Sequence, residues 1–237
     1  MKLFLKKVME HKTTIILSVI IIALLAAITV CIIKLENKNN KDVNNYNCSI
    51  NASANDNFIF LGDSITDCYP LEELFEGVPV INSGISGYTT VEILDNVDEL
   101  VTVYNPTKVI ILIGTNDIRK ELKNEEILSN IEEIVNRILE KRPMTKIYIQ
   151  SVYPVNNTSA SVVKKDVVGD RSNEVIMDLN KRIKNLCENN NYTYINMYKV
   201  LVDKNGNLEE KYTTDGLHIN NAGYLRITKE LYKYLND

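Results

Sequence analysis

After residue 57, short runs of β-branched and other apolar residues alternate with longer amphipathic stretches. This alternation is typical of a parallel sheet that is covered by helices. Five runs have the length and composition of buried strands. They are residues 58–61, 78–82, 109–113, 146–152 and 193–196. We therefore expect an α/β fold with a parallel five-stranded sheet.

Three of the amphipathic stretches have the period of an α-helix. In the first, four isoleucines recur at spacings of four, three and four, and acidic residues precede them while basic residues and a proline follow. This order of charges is expected of a helix with defined ends. The apolar positions are Ile127, Ile131, Ile134 and Ile138; Val175, Leu179, Ile183 and Leu186; and Tyr224, Ile227, Leu231 and Leu235. All three helices should pack on the sheet.

Residues 58–237 are expected to form a single folded domain, because the pattern shows no internal repeat and no second domain. Within this domain the segment 153–170 is long for a connection between a strand and a helix. Long connections in such folds often form the rim of a binding site. We expect this segment to select the substrate, and the alternative is a surface loop without a role.

Residues 13–33 form a stretch of 21 residues without a charge. A helix rises about 1.5 Å per residue, so this stretch just spans a hydrocarbon core of about 30 Å. We predict an uncleaved transmembrane anchor; the alternative is a signal peptide, whose apolar region is usually about 7 to 15 residues. Lysines before the stretch favour a cytoplasmic leader, 1–12, and an extracytoplasmic domain at the cell membrane. The Asn-rich residues 34–57 predict a flexible linker.

The charge of the chain is unevenly distributed. Residues 1–41 hold seven Lys against two Glu and carry +5, whereas the whole chain carries −4, so the remainder carries −9. No basic stripe with interleaved aromatic residues follows residue 41, and we expect no nucleic-acid partner. The four cysteines lack the spacing of a zinc site or a disulfide framework, and we expect neither a metal nor a cofactor. Cys68 is interpreted as a small, semi-buried filler.

Four short polar motifs occur in order along the folded part of the chain. Each of the first three follows a predicted strand, and loops at the carboxyl ends of neighbouring parallel strands meet at one crevice. Residues that are distant in sequence can therefore meet there. The motifs are Gly62-Asp63-Ser64-Ile65-Thr66, Gly84-Ile85-Ser86-Gly87, Gly114-Thr115-Asn116-Asp117 and Asp215-Gly216-Leu217-His218.

Ser64 and His218 are the candidate nucleophile and base. A serine after a strand is more often a helix cap than a nucleophile, so Ser64 alone says little. The other histidine, His11, lies in the leader, so His218 is the sole imidazole of the folded domain. A serine hydroxyl becomes a good nucleophile when a histidine accepts its proton. Asp215 can accept a hydrogen bond from the His218 ring and fix its tautomer. The alternative for His218 is a surface or helix-terminal histidine.

Acyl transfer also needs hydrogen-bond donors for the oxygen that becomes negative. The backbone N–H groups of Ser64 and Gly87 and the side-chain amide of Asn116 are the candidates. The alternative interpretations are a turn glycine and an asparagine that caps the next helix.

These motifs resemble those of the GDSL-type, or SGNH, hydrolase family of esterases and lipases. The resemblance covers residues 58–235 and is nearest to the branch of lysophospholipase- and platelet-activating-factor-acetylhydrolase-like proteins. It implies a three-layer α/β/α sandwich similar to flavodoxin. It also implies that Ser64 is the nucleophile, that Gly87 and Asn116 complete the oxyanion hole with the Ser64 amide, and that Asp215 and His218 complete the triad.

Tyr88 stands where many family members carry Asp, and Ile219 stands where Pro is common. Neither difference removes a catalytic atom, so they affect the expected substrate more than the expected reaction. We expect hydrolysis of a small carboxylic ester through an acyl-enzyme, with an O-acetyl group on a surface glycan as the candidate. Three alternatives stay open: transfer of the acyl group to a sugar acceptor, hydrolysis of a lipid ester as in lysophospholipases, and non-catalytic glycan binding. The last predicts a lost catalytic residue, and none is lost here.

Overall fold

The structure, a computed structural model, describes residues 56–236 together with residues 21, 25, 28, 29 and 50. The chain divides into two compact units, Met1–Asn47 and Cys48–Asp237, and the sheet belongs to the second. The predicted leader, anchor and linker, 1–12, 13–33 and 34–57, lie almost wholly outside the described residues. No helix made of described residues combines the length and the hydropathy that crossing a bilayer requires.

The sheet has five parallel strands in the order β2-β1-β3-β4-β5. All five predicted strands are therefore confirmed, with small shifts at their ends. The strands are β1 Phe58–Gly62, β2 Val80–Gly84, β3 Lys108–Leu112, β4 Lys146–Gln150 and β5 Thr193–Ile195.

Two of the shifts have a visible cause. β2 begins two residues later than predicted, because the Val78 N–H donates to the Phe75 carbonyl in a turn and Pro79 has no N–H to give. β4 ends two residues earlier, because the Val152 N–H donates to the side chain of Asn180 at 2.7 Å instead of joining the ladder.

The three predicted long helices are present, and each begins after a residue with extended backbone. In the second, Val175 is exposed and Ile176 faces the core, so the predicted position of the apolar stripe was wrong by one residue there. The helices are α1 Ser64–Asp67, α2 Leu71–Leu74, α3 Thr90–Leu100, α4 Thr115–Arg119, α5 Asn124–Lys141, α6 Lys165–Val168, α7 Asn173–Asn190, α8 Tyr198–Leu201 and α9 Asn221–Leu235, with 3-10 turns at Thr102–Tyr104 and Glu210–Tyr212.

The core has two parts, one on each face of the sheet. Side chains alternate between faces along a strand, so Ile59 and Leu61 pack with α3, α5 and α7, whereas Phe58 and Phe60 pack with α2 and α9. Helices thus cover both faces, as in the three-layer α/β/α arrangement expected from the sequence. This burial fixes the sheet, and the polar motifs follow its carboxyl edge.

Candidate active site

The first two motifs meet where β1 and β2 end. Gly62 is in register with Gly84 on β2 and with Leu112 on β3. A Cβ at Gly62 would lie 2.4 Å from the Leu112 carbonyl oxygen and 2.2 Å from Thr66 Oγ1, so only glycine fits there. The Ile85 N–H donates to the Gly62 carbonyl at 3.0 Å. The loop after β2 is thereby held against the loop after β1.

Ser64 is the first residue of α1, a single turn at the end of β1. Asp63 caps this turn, and its Oδ1 accepts a hydrogen bond from the Ile65 N–H at 2.9 Å. Asp63 is 1% exposed. Burial raises the pKa of its carboxyl to about 6, although the Ile65 N–H and the positive charge of Arg171 act in the opposite direction.

Ser64, His218 and Asp215 form one hydrogen-bonded chain. Ser64 Oγ lies 3.1 Å from His218 Nε2, and His218 Nδ1 lies 2.8 Å from Asp215 Oδ2. A carboxylate can only accept, so the imidazole hydrogen lies on Nδ1 and the Nε2 lone pair faces the serine. This is the geometry of a nucleophile, a base and an orienting acid.

Asp215 is held in its charged form by its own turn. Burial opposes ionisation, but hydrogen bonds from the His218 ring and from the backbone amides of His218 and Leu217 outweigh it and lower the pKa of the carboxyl. Oδ1 accepts from the two amides at 2.8 and 3.0 Å, while Oδ2 faces the ring. The negative charge therefore persists where it can orient the imidazole.

The segment 153–170 packs against this turn instead of lying free on the surface. The Asn156 N–H donates to the Gly216 carbonyl and the Lys164 N–H to the Asp215 carbonyl, both at 2.8 Å. Gly216 has a φ of +96°, and a Cβ there would lie 2.9 Å from the Asn156 carbonyl oxygen. The segment thus supports the acid of the hydrogen-bonded chain, and its role in substrate selection stays a prediction.

Asn116, on α4, is fixed by hydrogen bonds on both sides of its amide. Its Nδ2 donates to the Tyr88 carbonyl at 3.0 Å, and its Oδ1 accepts from Arg171 Nη2 at 3.0 Å. Tyr88 follows Gly87, which adopts a positive φ of +85°. The third motif therefore binds the residue that directly follows the second. Neither the Ser64 nor the Gly87 backbone N–H takes part in a turn, cap or loop hydrogen bond within residues 56–236.

Asp117 connects the third motif to the start of α3. Its two carboxylate oxygens accept from the Thr90 N–H at 3.0 and 3.1 Å, and Oδ1 also accepts from the Thr90 hydroxyl at 2.5 Å. Burial raises the pKa of Asp117, and the bonds from Thr90 act against that rise. The motif contains Asp117, but the sequence suggested no role for it. Its role in the structure is to tie the turn at Gly87 and Tyr88 to α4.

Arg171 was missed altogether by the sequence analysis. It is 1% exposed, and its guanidinium contacts α4 and the segment 153–170. A lone arginine between polar residues normally lies on the surface, so no local signal points to burial. Only the fold-back of the preceding segment encloses it.

Cys68 is exposed, so its interpretation as a semi-buried filler was wrong. The turn of α1 directs this residue away from the core, which α1 contacts through Ile65 and Thr66. Across the part of the chain that the structure describes, no three His, Cys, Asp or Glu side chains are grouped so as to hold a metal ion.

Comparison with known proteins shows what the whole chain is similar to. Residues 60–226 match the model of the GDSL-like Lipase/Acylhydrolase family. A structure from Streptococcus pneumonia, provisionally described as a platelet activating factor, is 34% identical, covers 88% of this chain and 99% of its own, and has a TM-score of 0.72. A GDSL-like lipase from Bacteroides thetaiotaomicron is 26% identical over 76% of this chain and 87% of its own, with a TM-score of 0.65.

The chain is also similar to a protein that is not named as a lipase or an acylhydrolase. The N-acylneuraminate cytidylyltransferase of Escherichia coli is 32% identical over 174 residues, which are 72% of this chain and 38% of that protein. This chain therefore spans well under half of that relative's length.

Proposed function

Because the chain belongs to the GDSL-like lipase/acylhydrolase family, we propose that it is a serine esterase in which Ser64 is the nucleophile, His218 the base and Asp215 the group that orients the base. The observation that carries this proposal is the continuous hydrogen-bonded chain from Ser64 Oγ through the His218 ring to Asp215. Such a chain activates a hydroxyl that is otherwise a weak nucleophile.

The proposed reaction has two halves. His218 Nε2 takes the Ser64 proton as Oγ attacks the ester carbonyl, and the tetrahedral intermediate collapses when the imidazolium returns that proton to the leaving alcohol. A water molecule then gives a proton to Nε2 and attacks the acyl-enzyme. Collapse of the second intermediate releases the carboxylic acid and returns the proton to Ser64 Oγ.

The negative oxygen of both intermediates requires donors that are already in place. We assign this role to the backbone N–H groups of Ser64 and Gly87 and to the Asn116 amide. The two backbone groups are free of turn, cap and loop hydrogen bonds in residues 56–236. Asn116 uses one Nδ2 hydrogen for the Tyr88 carbonyl, and an amide carries a second one.

For the substrate we propose a short acyl ester on a glycan, in the simplest case an O-acetyl group. The match to a protein named for N-acylneuraminate, an acylated sugar acid, supports a carbohydrate substrate. A lipid ester is the second candidate, supported by the similarity to the Streptococcus pneumonia structure described as a platelet activating factor. Nitrophenyl esters of graded chain length, followed by acetylated glycans and lipids, distinguish the two, and a short-chain optimum with glycan turnover is expected.

The nucleophile is tested with an organophosphonate that labels activated serines. Mass spectrometry should place the adduct on Ser64, and Ser64→Ala should abolish both labelling and turnover, because it removes the hydroxyl that is proposed to form the acyl-enzyme. Ser86, whose hydroxyl donates to Asp67 at 2.6 Å, provides the control, and Ser86→Ala should still be labelled. An adduct on Ser86, or near-normal turnover by Ser64→Ala, would falsify the assignment.

A further inference from the structure

Arg171 is a buried cation that forms no ion pair with any carboxylate of residues 56–236. Its Nε donates to the Thr115 carbonyl and hydroxyl at 2.8 and 3.0 Å, and its Nη1 donates to the Val167 and Val168 carbonyls at 3.1 and 2.8 Å. The remaining nitrogen, Nη2, donates to Asn116 Oδ1 at 3.0 Å. All of these acceptors are neutral. Burial lowers the pKa of Arg171 to about 10, so the guanidinium stays charged near neutral pH.

The contact with Asn116 determines which way its amide points. A guanidinium has only donors, so the Asn116 atom that faces Nη2 must be the oxygen. The amide nitrogen then faces the Tyr88 carbonyl, to which it donates at 3.0 Å. Since one of its two hydrogens is used there, the other has a single defined direction. Without Arg171 the hydrogen bond to the Tyr88 carbonyl is the only one left on this amide, and the amide can turn about it so that its second hydrogen loses this direction.

The charge of Arg171 also makes the Asn116 N–H a stronger hydrogen-bond donor. A hydrogen bond from a cation draws electron density towards the amide oxygen and makes the N–H groups of the same amide more acidic. In a buried environment such polarisation is weakly screened. The benefit appears only when negative charge develops on the substrate, because the ester carbonyl of the ground state is neutral.

We propose that Arg171 is a positioning residue of the oxyanion hole, one that orients and polarises the Asn116 amide for the transition state. This inference rests on the proposed function of Asn116. Arg171 itself is not proposed to contact the substrate.

The first test compares Arg171→Met with Arg119→Met in the full-length protein. Arg119 is the matched control, because its guanidinium also donates to the Val167 carbonyl but lies on the surface and has no bond to Asn116. We expect Arg171→Met to lower kcat about 10- to 100-fold with little change in KM, somewhat less than the roughly 10²- to 10³-fold expected for complete loss of an oxyanion donor. Arg119→Met should leave both constants within about two-fold of wild type.

A double-mutant cycle shows whether Arg171 acts through Asn116. The Arg171→Met penalty should nearly vanish in the Asn116→Ala background, because the group that Arg171 orients is then absent. Titration with the organophosphonate corrects each kcat for the fraction of active sites. A penalty that adds in full to that of Asn116→Ala, or a folded Arg171→Met protein with wild-type kcat, would overturn the inference. If Ser64→Ala itself retains turnover, the proposed function fails instead.

A second test needs no activity and applies when Arg171→Met is folded but destabilised or inactive. Asn116→Asp keeps an acceptor for the guanidinium, whereas Asn116→Leu removes it. With Arg171 present, the Asp variant should have the higher melting temperature. In the Arg171→Met background the order should reverse, because a buried carboxylate then lacks its partner. The same order in both backgrounds would show that Arg171 does not hold this side chain.

Discussion

The carboxyl group of Asp63 is buried immediately before the proposed nucleophile, and its charged form lowers the stability of the fold. The residue is 1% exposed, and burial raises its pKa to about 6 from an ordinary value of 3.8. The hydrogen bond from the Ile65 N–H and the positive charge of Arg171 offset only part of the free energy that the carboxylate loses when it is buried away from water. The side chain thus caps α1 while its charged form destabilises the fold.

Replacement of Asp63 by Asn should therefore change how stability depends on pH. Between about pH 4 and 6 the folded protein keeps a proton that the unfolded chain releases, so the wild type loses stability as pH rises through this range. Relative to Asp63→Asn, the loss should approach about 3 kcal/mol above pH 7. Denaturant unfolding of both proteins from pH 4 to 8 measures it. Parallel curves for the two proteins would rule out a raised pKa at this site.

At the scale of elements, a buried polar cluster joins three helices near the site. The Thr90 hydroxyl donates to Asp117 at 2.5 Å and accepts from Asn130 Nδ2 at 2.9 Å. Thr90 begins α3, directly after the turn that carries Gly87 and Tyr88, while Asp117 follows Asn116 on α4. The relative placement of two proposed oxyanion donors therefore depends on this cluster.

Thr90→Val keeps the volume of the side chain but removes its hydroxyl. We expect a loss of about 1–3 kcal/mol in the free energy of unfolding, because Asp117 and Asn130 each lose a buried partner. A lower kcat should accompany it. Thr102→Val is the control, since Thr102 makes a similar bond to Asp98 at 2.9 Å at the other end of α3. It should lower stability without lowering kcat, and an equal fall of kcat in both variants would disprove the connection.

The elements themselves were largely predictable, and the polar contacts between them were not. Buried parallel strands are continuous apolar runs, and long helices repeat their apolar residues every three or four positions, so both are visible in the sequence. The helix Thr90–Leu100 was missed although a capping box at Thr89 and Glu92 marks its start. The burial of Arg171 has no local signal, because it follows from where the segment 153–170 folds back. Ser64 and His218 could be paired because the folded domain offers a single histidine.

At the scale of the whole molecule, the esterase domain is proposed to be tethered to the cell membrane. The basis is the uncharged stretch 13–33 with lysines before it. The predicted linker, 34–57, lies between this stretch and the domain in the sequence. Such a tether would restrict the enzyme to esters near the cell surface.

Fractionation of cells that express the full-length protein tests this placement. The protein should be recovered with membranes, and protease added to intact cells should remove the domain. A variant that lacks residues 13–33 is the control and should leave the membrane fraction. Recovery of a soluble form that starts after residue 27 would instead show cleavage of a signal peptide.

The order of residues along the hydrogen-bonded chain also bears on biosynthesis. Ser64 precedes His218 by 154 residues. Because a ribosome makes the amino-terminal residues first, the serine emerges long before the histidine that is proposed to activate it. On this proposal its hydroxyl has the ordinary reactivity of an alcohol until the histidine is in place, and the nascent chain is not yet an esterase. If the assignment is right, completion of the last turn and docking of the final helix act as the step that turns the enzyme on.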